Sequence, residues 1–423
     1  MDTISPPMAL DTKTIEQFLQ RHDLKKAEVM IGRHLRATLP HQERALTLLM
    51  RARVRLFRGR IDDALDDIAH AEKLDPGLAR LPSTLELRAD CHFARFELAS
   101  VGFADRAETL LALELYNAIP QIDPEYENLG WVCYQQGRIN LTENHVDEAV
   151  HRFQDALIAP TTLPKLTAYC YERLGFIAYY ERREAKRALS LLNRAVDTYP
   201  ADEDRGWLAQ VYTLKSRVLR DMRQYPAALE AAQSALMISG KNNRIGMADA
   251  LLSAAEILSE MEHGERDVIA YLQQFLQISK RPLGIDVTWS RVHEMLGDAY
   301  AKTGVHTAAI SAYDAALKFN PYHPWEQSLS YRTAKSSYHA GYYDRVAEIL
   351  QTMIRTAETD GESIQDYRVY SLLGNALFAL ERYADAAKAY ASALGLAPAH
   401  LETLSTLESY HQRALDKIGD SAK

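Results

Sequence analysis

Cysteine is scarce. The 423 residues carry only Cys91, Cys133 and Cys170, far apart, in no CxxC pair, and each within a helical apolar pattern. They read as small reduced core residues rather than as a disulfide set or metal ligands. No apolar run approaches the ~18 residues of a membrane span. The opening MDTISPPMAL has neither a basic n-region nor an apolar h-region, so no secretory signal is expected and the cytoplasm is the expected compartment. Without a signal, the sequon Asn140-Leu141-Thr142 has no use. Positive charge is short as well. Forty-nine Lys and Arg against 57 Asp and Glu leave a net −8 and a pI near 6.0, which argues against wholesale coating of nucleic acid or anionic membrane, although a local basic strip stays open.

Chemistry-bearing motifs are missing too. The chain has no GxxxxGK[ST] phosphate loop, no GxGxxG, no GxSxG elbow and no HExxH. His145, Glu148 and His151 come nearest to a metal-ligand spacing, but they read better as solvent-facing groups at a helix start. The carboxylate pairs Asp62-Asp63 and Asp66-Asp67 fall near the start of a helix, where they complement its dipole. The expectation is no catalytic residue, no metal and no cofactor.

What the sequence does have is 47% hydrophobic and 25% charged residues, enough apolar content for a large helical core, and an internal repeat. Tyr370, Leu373, Gly374, Leu377, Tyr383, Ala386, Tyr390, Ala393 and Pro398 place small and large side chains in a set order. The register recurs in His293, Leu296, Gly297, Tyr300, Ala309, Tyr313, Ala316 and Pro321, and in Leu48, Ala52, Ala64, Ile68, Ala71 and Pro76. Small residues belong where two helices approach, aromatics where a gap must be filled, and proline where a helix stops. The crossing position runs Ala27, Ala64, Ala107, Ala149, Ala188, Ala228, Val268, Ala309, Val346 and Ala386, a period of about forty. The helix predicted from Pro82 through Leu98 does not align with this register in its first half.

The order of residues resembles the tetratricopeptide repeat, a helix-turn-helix unit of ~34 residues; at about forty, each unit here has longer helices and links. The resemblance runs from about Thr12 to Pro398. It implies an all-α, right-handed α-solenoid, a superhelix of about ten antiparallel helix pairs. Residues 1–11 are expected to be a flexible N-terminal tail, 12–400 the solenoid, 401–418 a capping helix with a polar outer side, and 419–423 a flexible C-terminal tail.

In such stacks the first helices line a concave wall. Mapped onto this sequence, the ninth offset of each unit gives Arg53, Arg138, Phe176, Arg217, Ile257, Asp298, Lys335 and Asn375. Neighbouring offsets add Trp131, Tyr134, Tyr169, Tyr179, Tyr180, Tyr331, Tyr338 and Phe378. Aromatic surface with interspersed Arg is the composition of binding hot spots. Glu172, Glu294 and Asp298 break the pattern, so the groove is expected to be mixed and basic toward its N-terminal half. Asn375 follows Gly374 and Lys335 lies one unit earlier, as in the carboxylate clamp of some tetratricopeptide co-chaperones, but the companion asparagine and further cations are missing. The expected function is a non-enzymatic scaffold or adaptor that binds a partner protein's extended or helical segment, acidic and aromatic in character. The alternative is a ligand- or peptide-sensing regulator that controls a partner by changing superhelix shape. Self-association stays open; nucleic acid is disfavoured because no per-repeat base-reading positions are visible.

Overall fold

The computed structural model describes residues 23–99, 105–201, 205–239, 243–261, 264–321, 326–398, 400 and 404–421. The expected tail 1–11, residues 12–22 of the expected solenoid, and residues 422–423 of the expected tail 419–423 lie outside them. The chain divides into two compact units, Met1–Glu203 and Asp204–Lys423. In the first, the helices are α1 (Leu24–His34), α2 (His41–Phe57), α3 (Ile61–Leu74), α4 (Pro82–Leu98), α5 (Arg106–Ile122), α6 (Leu129–Thr142), α7 (Val146–Ala156), α8 (Leu166–Tyr180) and α9 (Ala185–Thr198). In the second they are α10 (Leu208–Asp221), α11 (Tyr225–Ser239), α12 (Arg244–Glu260), α13 (Glu265–Ile278), α14 (Val287–Lys302), α15 (His306–Phe319), α16 (Glu326–His339), α17 (Tyr343–Thr359), α18 (Tyr367–Ala379), α19 (Tyr383–Leu396) and α20 (Leu404–Ser421). Each unit is an all-α solenoid in which every helix packs on its chain neighbours. Such stacking buries a face that no single pair could bury alone.

The turns inside the pairs share one backbone device. After α6, α10, α14, α16 and α18 the chain passes through a residue of positive φ: Asn144 (63°), Arg223 (59°), Gly304 (79°), Gly341 (80°) and Glu381 (59°). The next amide then reaches five residues back, as His145 N–H to Asn140 O at 2.8 Å, Val305 to Tyr300 at 2.9 Å and Arg382 to Leu377 at 2.9 Å. This left-handed cap satisfies carbonyls that the helix end would otherwise leave bare.

Packing within a pair follows from the small residue on the first helix. Gly374 faces the ring of Tyr390, whose Cε1 would lie 2.6 Å from any Cβ added there; Gly137 faces Phe153 in the same way, at 2.7 Å. The aromatic four residues after the crossing alanine therefore fills the space over the glycine of its own pair, and in Tyr390 it also reaches Tyr410 of α20, ring centroids 6.1 Å apart.

The structure corrects one register. Ala107 is exposed at the start of α5, whereas Ala112, Tyr116 and Ile119 are wholly buried, at the spacing of Ala386, Tyr390 and Ala393. The crossing residue is Ala112. The link between Leu98 and Arg106 is longer than the three-residue turns such as Arg58–Arg60, and this insertion carried the repeat pattern out of phase. The three cysteines are free and buried; burial pushes the Cys91 and Cys170 thiols up to about 12. At the C-terminal end α20 packs on α19 and buries Leu407 and Ala414; the helix runs on to Ser421, past the expected end at residue 418.

Candidate functional site

Correcting the register inserts a residue into the ninth-offset row. Tyr116 of α5 donates its hydroxyl to Asp90 Oδ1 at 2.5 Å, just as Tyr313 bonds Asp298 at 2.8 Å and Tyr390 bonds Asn375 Oδ1 at 2.8 Å. Asp90 on α4 is thus the counterpart of Asp298 and Asn375, between Arg53 on α2 and Arg138 on α6. Across these three residues the row alternates in sign.

Asp90 also accepts from Trp131 Nε1 at 3.1 Å and Gln135 Nε2 at 3.2 Å. One turn earlier Glu86 accepts from Tyr126 Oη at 2.9 Å and from Asn128 Nδ2 at 3.0 Å. Burial, with the charge of Asp90 beside it, pushes Glu86 up to about 7; burial raises Asp90 as well, while Arg53 pulls both down. Arg53 is exposed. Arg138 is committed: it pairs with Glu97, donates to Gln135 Oε1 at 2.9 Å and lies 4.8 Å above the Phe93 ring.

The rings of α6 and α8 form one strip. Trp131 stacks on Tyr134 at 5.5 Å, Tyr134 meets Tyr169 at 6.0 Å, and further along α8 Phe176 meets Tyr180 at 4.7 Å, which touches Tyr179 at 4.6 Å. Tyr134 and Tyr179 are each only 8% exposed and fill seams. Trp131, Tyr169 and Phe176 are half-buried, with surface left to offer.

In the second unit Arg217 is half-buried, and burial raises the Asp249 carboxyl while the charge of Arg217 partly offsets it. Asn375 is engaged by Tyr390. Tyr331, Lys335 and Tyr338 share one stripe of α16; Lys335 is exposed, Tyr331 has Arg368 5.9 Å from its ring, and Tyr338 meets Tyr343 at 5.4 Å. Phe378 lies under Arg413 of α20 at 5.6 Å. Lys335 borders a cavity of about 530 Å³ among α12 to α16, lined by the apolar Leu258, Val268 and Met295 and by Lys335, His306, His339 and Lys302, the last 3.8 Å from Glu265 of the same lining. Opposite, Arg332 is fixed by both oxygens of Asp298 at 2.8 Å and by Glu294. His306 and His339 stack at 4.7 Å. Burial, then the neighbouring His339, hold the His306 imidazole below its usual value, and its Nδ1 is buried without a hydrogen-bond partner.

Sequence reasoning put Lys335 and Asp298 in the ninth-offset row, and both line this cavity; it missed Lys302, His306 and His339. They stand at the turn between helices, outside the first-helix offsets. His306 follows Gly304 by two residues and His339 precedes Gly341 by two, and only the fold brings the two rings together. His145, Glu148 and His151 are exposed, and no cluster suited to a metal ion occurs among the described residues.

Two family models, each described as tetratricopeptide repeat, match residues 290–323 and 355–400. These are the α14–α15 pair and the region of the α18–α19 pair. Over those residues the chain carries tetratricopeptide repeats. A search of curated proteins finds no match. Among solved structures, the chain is similar to the C-terminal part of a TPR repeat-containing protein of Cytophaga hutchinsonii at 15% identity and TM-score 0.43, covering 66% of this chain and 97% of that one. It is similar to pilF of Pseudomonas aeruginosa at 16% identity and TM-score 0.44, covering 62% and 99%. YrrB, titled a TPR protein with an unusual peptide-binding site, gives 16% and 0.38 over 50% and 95%. At these values the likenesses carry no inference about what this chain binds. No helix among the described residues is long and apolar enough to cross a membrane.

Proposed function

We infer that the protein is a non-enzymatic scaffold that holds a segment of another protein along the first-helix faces of its repeats. The observation that carries this reading is the cavity beside Lys335. Its volume lies in the range of binding sites, its floor is apolar, and a few charged groups converge on its rim. A protein segment with an apolar or aromatic side chain would place it on Leu258, Val268 and Met295, while a neighbouring carboxylate would meet Lys335. The half-buried Trp131, Tyr169 and Phe176 offer the same kind of contact in the first unit, where rigid aromatics bury area at low entropy cost.

The test is an array of end-blocked 15-residue peptides probed with the intact protein and with Lys335→Glu. Peptides pairing an acidic residue with an aromatic one should be retained by the intact protein and lost by the variant. Retention of the same peptides by both proteins would remove this cavity from the reading.

A further inference from the structure

A second surface is set apart from these faces. On α2 and at its C-cap, Arg51, Arg55 and Arg58 lie within about one-sixth of a turn of one another, and Arg53 points the opposite way. Together with Lys25, Arg33 and Arg36 they enclose a groove of about 480 Å³ between α1 and α2. No atom lies within 4 Å of where a Gly32 side chain would begin, so the floor is open. Six cations face two carboxylates, Glu28 and the buried Asp67, in a chain whose net charge is −8.

Those carboxylates orient the cations. Asp67 accepts from Arg51 Nε at 2.8 Å and Nη2 at 2.6 Å, and from Arg55 Nη1 at 2.8 Å; Glu28 accepts from Arg55 Nε at 3.3 Å and also pairs with Arg58. A guanidinium has five N–H donors, so each arginine is held by some and keeps others for the groove. Guanidiniums fixed in advance lose little freedom on meeting an anion. The plain explanation, that cations complement a helix C-terminus, covers Arg33 and Arg36 but not Lys25 in the first turn of α1.

We propose that this groove binds an acidic peptide segment, its Asp and Glu carboxylates bridging the exposed Lys25, Arg33 and Arg36 to the fixed arginines of α2. Among the described residues the lining has no aromatic side chain, and single-stranded nucleic acid relies on aromatic rings to stack its bases; an acidic peptide needs only the charges and N–H donors present. The surface is independent of the cavity beside Lys335.

The probe is a fluorescein-labelled, end-blocked (Glu-Asp)6 peptide, with a twelve-residue oligouridylate beside it, followed by anisotropy at about 50 mM salt, where charge contacts are little screened. Lys25→Glu/Arg33→Glu/Arg36→Glu should weaken peptide binding about tenfold or more. A control of equal charge change at exposed sites elsewhere, Lys186→Glu/Lys318→Glu/Lys388→Glu, should stay within about twofold, because exposed sites beyond a Debye length are screened. Oligouridylate should bind at least about tenfold more weakly than the peptide. Circular dichroism checks folding; if the Glu variant unfolds, the Gln series at the same positions must show the weakening. The proposal is overturned if the intact protein does not bind the peptide, if the control loses as much as the groove variant, or if oligouridylate binds more tightly.

Discussion

Glu86 and Asp90 set a charge problem that the fold solves with neutral donors. Tyr126, Asn128, Tyr116, Trp131 and Gln135 bond the two carboxyls, and exposed Arg53 supplies only a distant charge. Burial raises the folded-state value of Glu86 from about 4.5 to about 7, so the folded chain holds this proton more tightly than the unfolded chain does. The stability it contributes is complete below pH 4.5 and is lost as pH rises through 7, on the order of 2–3 kcal/mol. Glu86→Gln should therefore be near neutral at pH 5 and stabilising at pH 8, read as the difference between urea melts of the two proteins. A difference that does not change with pH would refute this. At the turns, Glu381 and Arg223 hold positive φ with a side chain, so glycine at either should raise stability by about 0.5–1 kcal/mol. Gly304→Ala, at φ 79°, should lower it by about 1 kcal/mol; thermal melts decide both.

At the scale of the helix, the glycine under the aromatic ring is the most constrained feature. Gly374→Ala drives a methyl into Tyr390 and should cost about 1–3 kcal/mol, with partial recovery in Gly374→Ala/Tyr390→Leu; a melt showing no loss would mean that the pair spreads freely. Deleting Leu404–Ser421 bares the surface of α19 that Leu407 and Ala414 cover, and light scattering should show association at micromolar concentration, because an uncapped solenoid end is apolar. The helices themselves were legible in the sequence, since alanine, glycine and aromatic positions report how close two backbones come. Where a loop interrupts that rhythm, as between α4 and α5, the sequence pattern loses phase: Ala107 takes the place of Ala112, and Asp90 vanishes from the ninth-offset row. With Asp90 missing, the N-terminal half of the row read as basic, although Asp90 stands between Arg53 and Arg138 along it.

For the molecule as a whole, the repeat architecture was readable and the site only partly so. A first-helix offset names a position along the row of first helices, but it does not say which charge is already spent. Arg138 is taken by Glu97 and Gln135, and Asn375 by Tyr390. The cavity rim depends on turn residues brought together from consecutive pairs, which no single repeat encodes. Holding a protein segment at that cavity is the central claim, and hydrogen exchange measured with and without an array-selected peptide tests it most directly. The account predicts slowed exchange in α14 to α16, around Met295, Lys302 and His339, that disappears in Lys335→Glu. Slowing confined to helices remote from the cavity, or unchanged by Lys335→Glu, would contradict it.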